Sequence, residues 1–168
     1  METLQAAFRK LRSSAPFWSL RYHAETREML AVRQDTPEPP RLAIDRGAML
    51  TAVLEGGSGY CATSDLSSDG LQAALDRATE WAQATRGRSA APIDPASMPA
   101  PRGDYGSGFR KVTMSGKALI GLLAAENRRA KLDARIVERY SALELIEEER
   151  LYLTNTGGEL MQRFRYTL

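Results

Sequence analysis

Few side chains in this sequence could act on a substrate by themselves. There is one histidine, His23, so the chain cannot form a zinc-binding helix, which needs two histidines on one helical face. A Ser-His-Asp triad would have to use the same residue. His23 lies in the segment WSLRYHAE, where apolar and polar residues alternate as on the two faces of a strand. We therefore predict an ordinary histidine on the polar face of that strand.

The one cysteine, Cys61, lies in a short apolar segment, which predicts an inert buried thiol rather than a nucleophile. A single cysteine rules out an internal disulfide and is typical of a reducing compartment. The opening residues METLQAAFRKLRSS lack the apolar core of a signal peptide. No stretch approaches the roughly 20 apolar residues of a membrane span. We predict a cytoplasmic protein without a membrane partner.

Glycines at 56, 57 and 59 precede a helical pattern, which is how many proteins hold phosphate. A Walker A loop, however, needs Lys-Ser or Lys-Thr directly after its glycines, and a dinucleotide fingerprint needs the helix to open at them. Here residues 60–64 intervene, and they suit a strand. We therefore predict a hairpin turn between strands 48–54 and 60–63.

The helix after this hairpin has its own start signal. Ser67 or Ser68 can cap it, and Asp69 lies in the first turn, where a negative charge favours the helix dipole. Its predicted apolar face consists of Leu71, Ala74, Leu75, Ala78, Trp81 and Ala82.

Three further motifs have ordinary structural explanations. Residues 103–108 (GDYGSG) indicate a flexible turn, and Ser115-Gly116-Lys117 lacks the upstream glycine of a phosphate loop and predicts a helix cap. Residues 147–149, three glutamates, look like a solvated turn. Tyr60, Trp18 and Trp81 are predicted to be core residues. The sequence thus predicts no catalytic, cofactor-binding or metal-ligating residue.

The composition predicts a chain with a folded core and argues against a nucleic-acid-binding protein. The chain has 168 residues, 43% of them apolar, which is enough for a core, and its net charge is only +2. Arginines are mixed with acidic residues rather than gathered in a stripe, so we predict no nucleic-acid partner.

The remaining pattern predicts the elements that would position these residues. Residues 2–12 form an amphipathic helix, and residues 17–33 form strands with a bend near Glu28. Residues 35–41 are an exposed proline-rich connector. Residues 42–54 are strand material with a turn at 45–47, where Asp-Arg-Gly occurs.

The second half follows a proline- and glycine-rich segment, residues 86–108. A helix is predicted over 115–131, a strand over 136–145, and a strand–turn–strand over 151–154, 155–158 and 160–166. We divide the chain into a domain at 1–85, a linker at 86–112 and the start of a second region at 113–168. The predicted fold is α/β of the α+β type: a mixed, antiparallel-rich sheet with helices packed on one face.

The order of these pieces resembles the N-terminal domain of the TldD/PmbA family, the modulators of DNA gyrase. A strand pair is followed by a hydrophobic strand, a motif of small residues and a helix with alanines on its face. The matching residues are Gly56, Gly59, Tyr60, Ala62, Thr63, Asp65, Leu66, Ser67, Leu71, Ala78 and Ala82, and LTNTGGEL (153–160) looks like a later turn of the family. The likeness extends from about Trp18 to the end of the chain.

The resemblance implies a role in a zinc metallopeptidase that acts on peptides or unfolded proteins. Active members carry zinc in a C-terminal domain with an HExxxH motif, which this sequence lacks. The family resemblance therefore implies an inactive N-terminal portion with a scaffold, subunit-contact or substrate-chamber role, paired with a related or identical subunit. The alternatives are a stand-alone peptide- or protein-binding module, a partner that modulates DNA gyrase, and a small-molecule enzyme that uses His23 or Cys61.

Overall fold

The computed structural model describes residues 2–88, 93–106 and 113–168. These residues form three helices, seven strands and a short 3-10 turn at Pro95–Ser97. The elements in chain order are α1 (Glu2–Lys10), β1 (Phe17–Arg33), β2 (Thr36–Pro37), β3 (Arg41–Leu54), β4 (Gly57–Thr63), α2 (Ser68–Ala84), β5 (Arg102–Tyr105), α3 (Gly116–Arg129), β6 (Tyr140–Thr154) and β7 (Glu159–Thr167).

The seven strands form one mixed sheet in the order β4-β3-β1-β6-β7-β5, with β2 paired to β1. Neighbouring hairpin strands β1–β2 and β3–β4 are antiparallel, whereas β5 runs parallel to β7. The predicted class, a mixed and antiparallel-rich sheet with packed helices, is confirmed. Helix α3 and its Ser115 cap are also confirmed, because the Ser115 hydroxyl accepts from the Ala118 N–H at 3.2 Å.

Two local turn predictions inside strands were wrong. β3 continues through residues 45–47, and β6 continues through the three glutamates at 147–149. The strand material predicted over 17–33 is one continuous strand, β1. β1, β3 and β6 each have a neighbour on both sides of the sheet. Backbone pairing with neighbouring strands outweighs the local preference for a turn, because strand preference depends on neighbours more than on intrinsic propensity. At residues 45–47 this neighbour is not β4, whose pairing with β3 ends at Ala48.

The proline- and glycine-rich segment contributes to the sheet. Residues 102–105 form β5, and the register pairs Arg102 with Glu159 and Tyr105 with Gln162. The flexible turn predicted at 103–108 was therefore wrong for residues 103–105. Residues 107–108 of that prediction lie outside the described residues, because the structure does not describe 89–92 and 107–112. The division into domains at 1–85, 86–112 and 113–168 stays a prediction.

Two compact units are distinguished by their internal contacts, and the first consists of Met1–Ala24, Arg46–Ser107 and Glu149–Gln162. In this first unit, α1 and α2 pack on one face of the sheet around a shared core. Alternate residues of β3 face that core, as a strand period of two requires. Representative core residues are Phe8, Leu11, Leu20, Leu50, Leu71, Leu75 and Leu151.

The second unit consists of Glu25–Asp45, Gly108–Glu148 and Arg163–Leu168. Its core forms where Leu119 and Leu123 of α3 pack on Leu30 and Val32 of β1. The turn from β1 to β2 places Gln34 and Asp35 at φ values of 50° and 66°. Both values lie in the left-handed region that tight two-residue hairpin turns require.

A buried polar network joins this turn to α3. Asn127 is fully buried; its Oδ1 accepts from the Asp35 N–H at 3.1 Å, and its Nδ2 donates to Ser141 Oγ at 3.1 Å and to the Val32 carbonyl at 3.3 Å. Arg139 donates to the Asn127 carbonyl at 2.8 Å and pairs with the Asp35 carboxylate at 2.9 Å. Buried polar groups of this kind stabilise when they are paired, which holds for the Asn127 amide and for both terminal nitrogens of Arg139. The buried Arg139 Nε has no partner among the described residues.

Candidate functional site

The glycine-rich turn is the first candidate that the sequence raised, and the structure confirms the hairpin. Gly56 adopts φ +72° at the turn, and β4 starts directly after it at Gly57. A Cβ at Gly59 would lie 2.3 Å from the Ala78 carbonyl oxygen and 2.5 Å from the Ala82 nitrogen. The glycine is therefore needed for the close approach of α2 to β4 rather than for a phosphate.

The sequence predicted Trp81 to be a core residue, and this was wrong because of the same close approach. Backbone contact between α2 and β4 leaves no room for an indole beneath the helix, and Trp81 is 55% exposed. Thr79 is buried instead, and its hydroxyl donates to the Leu75 carbonyl at 2.8 Å. Tyr60 was also wrongly placed in the core, since it is 70% exposed, whereas Trp18 is half-buried.

The motif Thr63-Ser64-Asp65-Leu66-Ser67 turns the chain from β4 into α2. Thr63 Oγ1 accepts from the Asp65 N–H at 3.0 Å, and Asp65 Oδ1 accepts from the Ser67 N–H at 2.9 Å. The Ser67 hydroxyl then caps α2 by accepting from the Gly70 N–H at 3.1 Å. Hydrogen bonds from Ser67 lower the pKa of the Asp65 carboxyl. The role of these residues is thus local folding.

A second turn motif, residues 153–160, is also structural. Asn155 Oδ1 accepts from the Trp18 N–H at 3.0 Å, and Asn155 Nδ2 donates to the Pro16 carbonyl at 2.9 Å. Thr154 Oγ1 accepts from the Gly158 N–H at 2.7 Å. The hydrogen bonds of Asn155 therefore hold the turn between β6 and β7 against the start of β1.

The two residues that could take part in catalysis, Cys61 and His23, have different surroundings. Cys61 is a free, partly buried thiol that packs against the core of the first unit and contacts the Ala62 carbonyl oxygen at 3.7 Å. His23 is half-buried on β1 rather than exposed, and it lines a cleft.

This cleft is the candidate binding site, and it lies wholly in the first unit. Its volume is about 540 Å³, within the range of ligand pockets. The lining combines polar side chains with apolar ones and comes from three strands and the segment before β5. The lining residues are Arg21, Tyr22, His23, Pro99, Arg150, Leu151, Tyr152, Leu160 and Gln162.

The cleft has the chemistry of a binding surface. Guanidinium, phenol and amide groups can donate to the carbonyls or carboxylates of a ligand, and Pro99 and Leu160 offer apolar contact. None of the lining residues is a serine, threonine or cysteine, the usual side-chain nucleophiles. Sequence analysis missed this site because its residues are far apart in the chain and carry no motif.

Tyr22 lines the cleft, and the pKa of its phenol reports how buried this side chain is. Burial raises the pKa of the Tyr22 phenol, the Glu149 carboxylate raises it further, and Arg46 acts in the opposite direction. We expect the difference between the alkaline titrations of the wild type and Tyr22→Phe to show one phenol that ionises above the ordinary value near 10. Near-ultraviolet absorbance measures this.

The raised pKa of Tyr22 makes its contribution to the stability of the fold depend on pH. Because folding raises this pKa, Tyr22 stabilises the fold below about pH 10, and that contribution is lost as pH rises through the raised pKa. A difference titration centred at or below the ordinary value would contradict this placement of Tyr22.

The zinc motif that the resemblance implies for active members does not fit this chain. HExxxH needs two histidines on one helix, whereas the sequence has one and the structure places it on strand β1. Among the residues that the structure describes, no helix is long and apolar enough to cross a membrane.

Residues 18–82 match the family model described as PmbA/TldA metallopeptidase domain 1. The matched region extends from β1 through the β3–β4 hairpin into α2. It includes the small-residue motif between β4 and α2 on which the resemblance was based. The resemblance to the first domain of this family is therefore confirmed over residues 18–82. No curated protein sequence matches the chain significantly.

Solved structures share the fold over 99% of the chain. TldE from Thermococcus kodakarensis aligns with a TM-score of 0.64 at 12% identity. Presumed modulators of DNA gyrase from Bacteroides thetaiotaomicron and Thermotoga maritima align with TM-scores of 0.66 and 0.61 at 16% and 11% identity. The chain spans only 37%, 38% and 37% of these three structures, in the order named.

Proposed function

We propose that this chain, with the first domain of the PmbA/TldD family at residues 18–82, is a non-catalytic part of a TldD/PmbA-type metallopeptidase. The family-model match is the observation that carries the proposal. The shared fold with just over a third of each similar structure supports it. In this role the chain contributes scaffold, subunit contact and a wall of the substrate chamber.

Peptide hydrolysis itself requires groups that this chain lacks. In zinc peptidases the metal lowers the pKa of a bound water and polarises the scissile carbonyl. The HExxxH residues that would hold such a metal cannot come from a chain with one histidine. This chain's residues would bind and orient the peptide, and the cleft lined by Arg21, Tyr152 and Gln162 is suited to that.

The partners follow from the same assignment. We propose a related or identical subunit as the binding partner, and peptides or unfolded proteins as the substrates of the whole assembly. A cytoplasmic location is supported by the single cysteine, Cys61, which is free.

The test is to capture the tagged protein at its native expression level and assay it for hydrolysis of fluorescein-labelled casein. We expect hydrolysis that 1,10-phenanthroline abolishes and that its non-chelating 1,7 isomer leaves unchanged. Mass spectrometry should find an HExxxH sequence in the active material. We also expect the 168-residue chain alone, with added zinc, to be inactive. Captured material without HExxxH and without chelator-sensitive hydrolysis would contradict the proposal.

A stand-alone peptide-binding module is the second candidate. The observation in its favour is that the cleft is complete within one unit of this chain. The capture experiment separates the two, since a stand-alone module binds peptide without any associated peptidase.

A further inference from the structure

β4 is the last strand on its side of the sheet, so one row of its backbone groups points away from β3. The register identifies the residues in that row. A two-residue turn joins β3 to β4, and in such hairpins the flanking pair, here Leu54 and Gly57, exchanges hydrogen bonds. The alternation of an antiparallel ladder then turns the N–H and C=O groups of Ser58, Tyr60 and Ala62 outward.

The contacts of Ser58 agree with this register. Its N–H donates to the Thr85 hydroxyl oxygen at 3.1 Å, and that hydroxyl donates to the Ser58 carbonyl oxygen at 2.8 Å. One side chain at the end of α2 thus satisfies both outward groups of Ser58 and blocks strand pairing at that residue.

Tyr60 and Ala62 lack such a cover. Within residues 2–88, 93–106 and 113–168, the one contact to their outward backbone groups is that of the Cys61 thiol with the Ala62 carbonyl, at 3.7 Å. Both side chains are exposed. We call the outward backbone of Tyr60 and Ala62 the β4 edge.

We propose that the β4 edge binds an extended, unfolded peptide as an added strand. Its two N–H and two C=O groups can form up to four backbone hydrogen bonds, which requires no particular peptide sequence. The exposed Tyr60 ring lies beside this row, so an apolar side chain of the peptide would pack on it. The inference rests on the proposed function, because a peptidase assembly supplies unfolded peptides.

The packing of α2 argues for a peptide rather than a second copy of this chain. α2 lies directly on β4, since a Cβ at Gly59 would meet the Ala78 carbonyl. Antiparallel pairing of two copies through β4 would place the strands about 4.8 Å apart and would leave both α2 helices on the same face, directly above them. Packed helices need roughly 8–10 Å. A single extended peptide brings no helix with it.

Amide exchange tests the proposal residue by residue. The probe is an octapeptide of alternating valine and lysine, whose charges oppose its self-association. We expect it to slow exchange at the Tyr60 and Ala62 amides, with Gly59 and Cys61, which face β3, as internal controls that do not change. The same peptide N-methylated at its four central residues should give no protection. Equal protection by both peptides, or no protection by either, would overturn the proposal.

Variants of the edge provide the second measurement. Tyr60→Pro and Ala62→Pro each remove an outward N–H that the β3 ladder does not use, a position where edge strands tolerate proline. Fluorescence anisotropy with the labelled octapeptide should show binding weakened roughly tenfold or more in the double variant. Circular dichroism confirms that the variants fold. Unchanged binding in the folded double variant would overturn the proposal, as would an edge-dependent dimer that excludes the peptide.

These outcomes are separate from those of the casein assay. Protection of the β4 edge without chelator-sensitive hydrolysis in the captured material supports the edge and contradicts the peptidase assignment. Chelator-sensitive hydrolysis without protection at Tyr60 and Ala62 supports the peptidase assignment and contradicts peptide binding at the β4 edge.

Discussion

Replacing Gly59 by valine should destabilise the first unit by about 3 kcal/mol or more, which is at the upper end of overpacking effects. The added Cβ alone would lie 2.3 Å from the Ala78 carbonyl oxygen and 2.5 Å from the Ala82 nitrogen. Both are backbone atoms, so no rotamer change relieves the overlap. The helix must move away from β4, and the buried face of α2 loses its contact with the sheet.

Chemical denaturation followed by far-ultraviolet circular dichroism measures this effect. The matched control is Gly121→Ala in α3, because a Cβ there would meet nothing within 4 Å. That change should stabilise α3 by up to about 1 kcal/mol, since alanine has the higher helix propensity. A Gly59→Val variant as stable as the wild type would mean that α2 does not contact β4 as described.

Replacing Asn127 by alanine should cost about 3 kcal/mol in the second unit, because it leaves buried polar groups without partners. The Asp35 N–H would lose its acceptor, and the Ser141 hydroxyl and Val32 carbonyl would lose a donor. Asp35 is held at φ +66° in the β1–β2 turn, so the turn depends on that bond. Arg139 would keep its contact with the carbonyl of residue 127.

The control for Asn127 is its exposed neighbour on α3. Glu126→Ala removes an i,i+3 ion pair with Arg129 and should change stability by no more than about 0.5 kcal/mol. Equilibrium unfolding of both variants gives the comparison. Equal stability losses in the two would show that the Asn127 network does not form in solution.

Features that depend on a few neighbouring residues were predicted correctly. Ser67 and Ser115 cap their helices because a hydroxyl reaches an amide three residues ahead, whatever the rest of the fold does. The hairpin at Gly56 follows from two strands joined by residues that tolerate a positive φ. The order of these small elements was enough to indicate the TldD/PmbA first domain.

The sequence by itself therefore determined the helix starts, the hairpin, the fold class and the absence of an HExxxH motif. The tertiary structure alone decided that β3 and β6 run through apparent turns, because neighbouring strands of the sheet pair with them. It also decided that Trp81 is exposed, because α2 approaches β4 at backbone distance. The cleft depends on strand order, because the order brings together residues that are far apart in the chain. The β4 edge exists because β4 is the last strand on its side of the sheet, and no local pattern carries that information.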